Sequence, residues 1–474
     1  MSGKRLILDR LIDHSDRVLK LEWIRRMRLQ VTRGHGTLEV RTMMRHEPRR
    51  NIDEKLGLFE LIAIAVGGMI GGGIFSVLGL AVALAGNGAP LSFLLAGTIA
   101  GLAAYSYWRL CLVFPDDGAS YTYLLRAFPE RPSIAAVEGW VVIAGYIGTL
   151  ALYAFTFGAY AADLLSLPQG EGGRGVLSIS VLLFFLLVNL RGVRTSGRSE
   201  DLIVYAKLLI LAAFAVIGFT HLEPQRFTPL FDHGITGVLN GGALIFVAFE
   251  GFQLMTNAVQ ETEKPERNIP CAMATSVVVV TLVYLGLCIV AIGVLPRETL
   301  LAAEEYALAE VARPVMGQSG RVLVALAALL ATSSAINATL FGASRMMAIM
   351  AVEKMMPAVF ARRSARQVPA MALVALVGAS GVLTFTGGLD VIASFSSLTF
   401  LLVSAGVGIA NYRLRQQTKA RGEIVLLSLI LVAATIGALV GYMAIHSRNM
   451  LYGVIVLYAI TITGAVVWNR RMLV

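Results

Sequence analysis

Apolar residues fall in twelve long runs: 56–84, 91–113, 137–162, 176–190, 202–221, 238–259, 272–295, 322–350, 369–386, 391–411, 424–445 and 451–468. Most are long enough to cross a hydrocarbon core of about 30 Å at about 1.5 Å per helical residue. The run at 176–190 is short and is expected to start earlier. Leu, Ala, Val and Ile fill these stretches continuously. The alternation of an outer-membrane barrel is missing, so the runs predict membrane-spanning helices. The expected class is an all-α polytopic membrane protein with twelve transmembrane helices.

Composition agrees. Of 474 residues, 57% are hydrophobic and 15% charged, against about 25% charged in a soluble domain. A mean hydropathy of +0.73 points the same way. Disorder, a collagenous rod and a coiled coil are excluded. Three cysteines, Cys111, Cys271 and Cys288, cannot frame a disulfide-rich module.

The net charge of +10 is informative through its distribution. Fourteen Lys or Arg precede residue 56. The even-numbered connections continue the bias with Arg191, Arg194 and Arg198, then Lys264 and Arg267. Lys354, Arg362, Arg363 and Arg366 follow, then Arg413, Arg415, Lys419 and Arg421, and Arg470 and Arg471 close the chain. The opposite set holds Arg174, Arg226, Arg297, Arg313, Arg321 and Arg448. The positive-inside rule puts both termini in the cytoplasm of a cell inner (plasma) membrane protein. Topology accounts for the basic balance, so no nucleic-acid partner is expected; the lipid bilayer is. Residues 1–55 read as a basic cytoplasmic tail without the apolar core of a signal peptide. They are a solvated segment, a surface helix on the anionic leaflet, or a stretch preceding a later start at Met27, Met43 or Met44.

Two spans look interrupted. The first holds Gly67, Gly68, Gly71, Gly72 and Gly73 within seven residues. Each glycine costs a helix roughly 1 kcal/mol relative to alanine. Gly67/Gly71 and Gly68/Gly72 also fit a GxxxG packing face. Three consecutive glycines exceed what packing needs, which favours an unwound segment. The sixth span carries Phe246-Val247-Ala248-Phe249-Glu250-Gly251-Phe252-Gln253, with Glu250 near the bilayer centre. An ionised carboxylate there costs at least a few kcal/mol unless paired or hydrated. It is a functional group or a protonated structural one. The two interruptions correspond if spans 1–5 and 6–10 are repeats. Five is odd, so the second copy is inverted, as in transporters with broken helices at the midplane. The expected parts are 56–222 and 238–411 as the two repeats, then 424–474 with spans eleven and twelve.

Ile70-Gly71-Gly72-Gly73-Ile74-Phe75 and Phe246-Val247-Ala248-Phe249-Glu250-Gly251-Phe252 resemble the first- and sixth-helix signatures of the amino acid–polyamine–organocation permeases. Glu263-Lys264-Pro265-Glu266-Arg267-Asn268-Ile269-Pro270 is similar to their following loop. Asn337-Ala338 with Gly342-Ala343-Ser344-Arg345, then Met356-Pro357, is similar to their eighth helix and its exit. The resemblance covers about 55–470 and implies a LeuT-type fold. It departs at Lys264, where many members carry Asn, and at Cys271, where they carry Arg. Many also have an acid at the position of Gln253 and an apolar residue at that of Glu250.

An α-amino acid needs donors for its carboxylate and acceptors for its ammonium. The helix end after Gly71 offers N–H groups and a positive dipole end, and Gly71, Gly72 and Gly73 let a carboxylate approach. By the resemblance, Met69, Val247, Ala248 and Glu250 serve the ammonium. Phe246, Phe249 and Phe252 select the side chain or simply pack. Glu60, Arg109, Glu138 and Arg345 sit near span ends and are expected to snorkel or face water. Lys207, five residues into the fifth run, snorkels or titrates. It resembles the fifth-helix lysine that fills the cation place of proton-coupled permeases. That would set it against the carbonyls of Gly67 and Ile70 and the hydroxyls of Ser333 or Ser334.

The expected function is a secondary transporter moving amino acids by alternating access through proton-coupled symport. Its partners are then a small-molecule amino acid and protons, with no cofactor, metal or catalytic residue. An exchanger of cationic amino acids or polyamines, with Glu250 as counter-charge, is the alternative. A non-transporting membrane sensor of the same fold is a third reading. No span carries a His-Glu-x-x-His motif, so an enzyme is not expected. A channel would need a continuous polar lining.

Overall fold

In lipid the backbone of an apolar run finds partners only within itself, so helices form. The computed structural model describes residues 55–473 apart from 116–117, 168–170, 193–196, 365 and 367. The readings made for residues 1–54, including the surface helix and the later starts, lie outside the described residues. Among those described there is no strand, and one isolated parallel bridge joins Leu56 to Thr262.

The first span is two helices, α1 (Leu58–Met69) and α2 (Gly73–Ala85). Span 2 is α3 (Ala89–Val113), and a short α4 (Ala119–Ala127) leads to span 3, α5 (Pro132–Leu164). Spans 4 and 5 are α6 (Glu171–Leu190) and α7 (Gly197–Gly218). Helix α6 starts five residues before the apolar run, as its shortness suggested. Span 6 begins as α8 (Gly234–Ile245) and continues as a 3₁₀ segment, Phe246–Glu261. Span 7 is α9 (Pro265–Val294), and α10 (Arg297–Ala303) lies in the connection after it. Helix α11 (Ala307–Val352) bends at Gly317, whose φ of 72° separates a connecting helix from span 8. Spans 9 to 12 are α12 (Ala370–Thr386), α13 (Leu389–Arg413), α14 (Gly422–His446) and α15 (Arg448–Leu473).

Ten helical stretches among the described residues are long and apolar enough to cross a membrane. One of them, Gly73–Val113, holds the end of span 1 and all of span 2. With the shorter apolar α1 and α12 this gives twelve spans. The chain is a multi-pass membrane protein of the LeuT-type 5+5 inverted repeat. Helix α5 packs along α11, α13 and α6, while α3 packs on α9 and α8. The two broken spans lie between these groups. The most hydrophobic windows of α14 and α15 are only 28% and 17% buried, so spans 11 and 12 are peripheral.

Ionic ties hold one end of the bundle. Arg321 of α11 binds Asp163 of α5 at 2.5 Å and Glu310 at 2.7 Å. Arg297, at the start of α10, binds Asp232 at 3.1 Å, and Arg174 binds Glu305 at 2.9 Å. At the opposite end the chain entering α1 pairs with the chain leaving span 6. Leu56 N–H donates to Glu261 O at 2.8 Å, and Glu263 N–H donates to Leu56 O at 2.9 Å.

Candidate functional site at the helix breaks

Helical bonding in span 1 stops when Ile70 N–H reaches Val66 O at 2.7 Å and Ile70 takes φ −81°, ψ 61°. The α-helix resumes at Gly73. The amides of Gly71 and Gly72 make no backbone bond among the described residues. The carbonyls released by the break are occupied by side chains from other spans. Lys207 of α7 donates through Nζ to Ile70 O at 2.5 Å and Gly67 O at 3.2 Å. It is 1% exposed, so its ammonium does not reach an edge of the bilayer. An ammonium taken out of water needs such bonds and the negative end of a helix to offset desolvation. Tyr284 of α9 donates through its hydroxyl to Met69 O at 2.7 Å and also lies 3.2 Å from Ala248 O.

Span 6 changes from α to 3₁₀ winding at Phe246 and keeps that form for sixteen residues. So long a 3₁₀ run is uncommon and marks strain or a hinge. The Val247 amide donates to Ser397 Oγ of α13 at 3.0 Å, and that hydroxyl in turn donates to Leu244 O. Glu250 is 4% exposed and accepts from Gln253 Nε2 at 2.6 Å. Tyr107 of α3 donates to Gln253 Oε1 at 3.1 Å. The site thus draws Lys207, Tyr284, Tyr107, Glu250 and the carbonyls of Gly67, Met69, Ile70 and Ala248 to the two breaks.

The glycines serve close approach as well as the break. A Cβ on Gly71 would strike Ala335, one on Gly72 would strike Tyr153, and one on Gly73 would strike Ala248. Gly68 and Gly251 cross backbone to backbone, with no room for a side chain on either. Unwinding and packing, weighed as alternatives from the sequence, are both present here.

Phe249 packs edge-on to Tyr284 and Phe252 edge-on to Tyr107, with ring centroids 5.2 and 5.4 Å apart; Phe246 is buried. Ser333 and Ser334 are half-buried on α11, next to the Thr332 and Ala335 that meet the glycine turn. Glu60 and Arg345 are exposed, as expected near span ends. Glu138 is not. It is 9% exposed because α13 packs over it at Gly406, and distance from a run's end says nothing about that cover. Arg109 bonds the Lys419 carbonyl and keeps its Nε buried without a partner. Sequence reasoning missed Tyr284, Tyr153, Ser397 and Tyr107. No local signal sets them apart, because each lies in a span that carries other hydroxyl side chains, such as Tyr146 and Thr149 near Tyr153 or Ser396 and Thr399 near Ser397.

Two crossed, interrupted spans with buried charges at the breaks define the architecture of a membrane permease. The chain belongs to the amino acid permease family, whose model matches residues 56–470. It is similar to an uncharacterized protein of Methanocaldococcus jannaschii, 31% identical over 420 residues, covering 88% of this chain and 96% of that one. It is 27% identical over 404 residues to the inner membrane transport protein YbaT of Escherichia coli, covering 85% and 94% of the two chains. It is 26% identical over 337 residues to a methylthioribose transporter of Bacillus subtilis, covering 68% and 72%.

Proposed function

We propose that this permease is a proton-coupled amino acid symporter working by alternating access. The observation that carries the coupling is Lys207, whose Nζ lies on the Ile70 and Gly67 carbonyls at the break of span 1. By the family resemblance, such an ammonium on broken-helix carbonyls would stand in for the cation that sodium-driven transporters of this fold hold. Charged, it ties α7 to α1; neutral, it loses most of that hold. A proton that changes the balance between two conformations couples its own gradient to the movement of substrate. Gly71, Gly72 and Gly73 present amides to a substrate carboxylate, and the Val247, Ala248 and Met69 backbone with Glu250 faces its ammonium. Phe249 and Phe252 line the side-chain end. Ser333 and Ser334 are the neighbouring hydroxyls on span 8.

The cell membrane, with both termini cytoplasmic, is the location this reading takes from the Lys and Arg asymmetry. The parts then run as a basic tail over 1–55, repeats over 56–222 and 238–411, and two further spans over 424–474. A second reading, exchange of cationic amino acids or polyamines, is favoured by one observation: a buried carboxyl, Glu250, in the sixth span.

The deciding experiment is uptake of a panel of labelled amino acids and polyamines into proteoliposomes, with and without an imposed pH gradient. Methylthioribose belongs in the panel as a non-amino-acid control. Accumulation driven by inward proton flow is the expected result. Accumulation only against a preloaded amine would replace symport with exchange, and uptake of nothing in the panel would end the amino acid reading.

A further inference from the structure

The end of α2 is fastened to the start of span 6 by groups that the transport reading leaves unused. His233, the residue before α8, is half-buried. Its Nδ1 lies 3.0 Å from Leu84 O in the last turn of α2, and its Nε2 lies 2.7 Å from Arg297 Nη2 at the start of α10. These partners fix the tautomer. A carbonyl only accepts and a guanidinium only donates, so Nδ1 carries the hydrogen and Nε2 is a lone pair. The same Arg297 binds Asp232 Oδ2 at 3.1 Å. Asp232 Oδ1 accepts from Asn87 N–H and His233 N–H, each at 3.0 Å. Arg297 and Asn87 border a cavity, and the Arg297 side chain is 36% exposed, so water reaches the cluster. The other charges near these elements are committed or distant. Neither α2 nor the turn at 86–88 carries one. Arg226, on the same cavity, is paired with Glu223 at 3.0 Å, and Glu298 of α10 is exposed. Arg109 of α3 bonds the Lys419 carbonyl, Glu250 of the 3₁₀ segment is held by Gln253, and Glu261 closes that segment's far end. On α13 and α14, which also pack on α8, Asp390 and His446 border a separate cavity, while Arg413 and Glu423 lie at the opposite ends of those helices.

We propose that His233 is a proton-binding site on the face opposite the basic connections, and that a proton on its Nε2 unlatches α10 from the α2–α8 pair. The ligand is the proton. It enters the Nε2 lone pair, which is the acceptor that Arg297 uses. An imidazolium has two donors and no acceptor, so the 2.7 Å bond is lost and two like charges are left facing each other. Asp232 cannot hold both cations as it holds one. Its Oδ1 is committed to two N–H groups, and Oδ2 alone is open to a cation. The other half of the latch does not open. Nδ1 keeps its hydrogen in either charge state, and its bond to Leu84 O strengthens when the ring is charged. Gly237 of α8 also lies so close to Leu84 O that a Cβ would strike it. The proton therefore holds α2 to α8 while it frees both from α10. These are the half-helices whose inner ends are the breaks at Gly73 and Phe246. The site rests on the proposed topology and symport for its use: acid on the outer face opens the way to the breaks, so loading coincides with the gradient.

The test is pulsed electron paramagnetic resonance on the purified full chain in lipid nanodiscs, without substrate or a pH gradient. Spin labels go on Ala83→Cys of α2 and Thr299→Cys of α10, both exposed, with the exposed Cys271 changed to Ser. Between about pH 8 and about pH 5, the span over which imidazoles change charge, the wild-type distance should lengthen. His233→Gln offers a donor and an acceptor that do not titrate, and should keep the short distance throughout. Arg297→Met removes the partner and should give the long distance at both pH values. A wild-type distance that ignores acid overturns the proposal, as does a His233→Gln response equal to wild type or an Arg297→Met protein that behaves as wild type. In proteoliposomes at fixed internal pH, external acid should speed exchange of labelled for unlabelled substrate at least about fivefold, the low end of coupling between sites, and His233→Gln should lose that response. An equal acid response in the variant would assign it to other groups and overturn the site. Labels that separate in acid, in a protein that shows no proton-driven accumulation, would refute symport and leave the latch standing.

Discussion

At the scale of single residues, Lys207 makes the sharpest test. Lys207→Ala removes the ammonium from the Ile70 and Gly67 carbonyls. Accumulation driven by a pH gradient should vanish while substrate binding partly survives. Wild-type accumulation in this variant would sink the coupling role and leave the permease itself intact. Glu250→Gln should weaken binding of cationic substrates at least tenfold more than that of neutral ones, measured by competition against one labelled substrate; an equal loss for both would remove the counter-charge role. Tyr284→Phe deletes the hydroxyl shared by Met69 O and Ala248 O but keeps the ring contacts to Phe249 and Phe93. Two buried carbonyls lose their donor, at a cost of about 1–3 kcal/mol, which a lower thermal midpoint would report. If those carbonyls take the substrate ammonium, affinity should hold or tighten; weaker binding would make Tyr284 itself the contact. Lys207 and Glu250 were legible in the sequence because a charge in an apolar run stands out. Tyr284 and Tyr153 were not, since an aromatic ring in such a run has the same signature as core packing. Glu138 was misread because what covers a residue is decided by a helix more than 260 positions away in the chain.

At the scale of elements, the glycine-rich break is legible and its geometry is not. Runs of glycine announce that α-helix is costly there, yet they do not say which neighbour fills the freed space. Gly72→Val is therefore no clean probe of a carboxylate site, because Tyr153 blocks its side chain. Gly251→Ala is the more decisive variant for the crossing. Its obstacle is the backbone of Gly68 and Met69, which cannot rotate away. Overpacking of this kind costs typically 1–3 kcal/mol, and the thermal midpoint should fall clearly further than in Gly342→Ala, where the added carbon meets nothing within 4 Å. A matching fall in both would mean that spans 1 and 6 can separate at no cost. The 3₁₀ winding of Phe246–Glu261 was not legible either. Its composition, with Glu250, Gly251, Gln253, Asn257 and Gln260, announces an irregular stretch but not the form it takes, and the tighter winding is packed against α1, α3 and α9.

At the scale of the whole molecule, the twelve spans were readable because each must satisfy its backbone alone. Their arrangement was readable only through the paired interruptions in spans 1 and 6. The ionic ties on the α10 side join residues far apart in the chain, and nothing local in the sequence announces which charges meet. Arg321→Met leaves Asp163 and Glu310 without their shared partner and should lower the thermal midpoint. The exposed Arg226–Glu223 pair should matter little by comparison, as surface pairs do. The opposite end is held differently. Leu56 is bridged to Thr262, and further along Gly68 is pressed to Gly251. Two half-helices fastened at both ends have one hinge motion between them instead of two. In the symporter reading, a door with a single leaf would have no position in which one half stands ajar, and small ions would find no slipstream while the cargo waits. Tightness against leakage would then rest on the backbone itself, at positions where no side chain is needed to keep it.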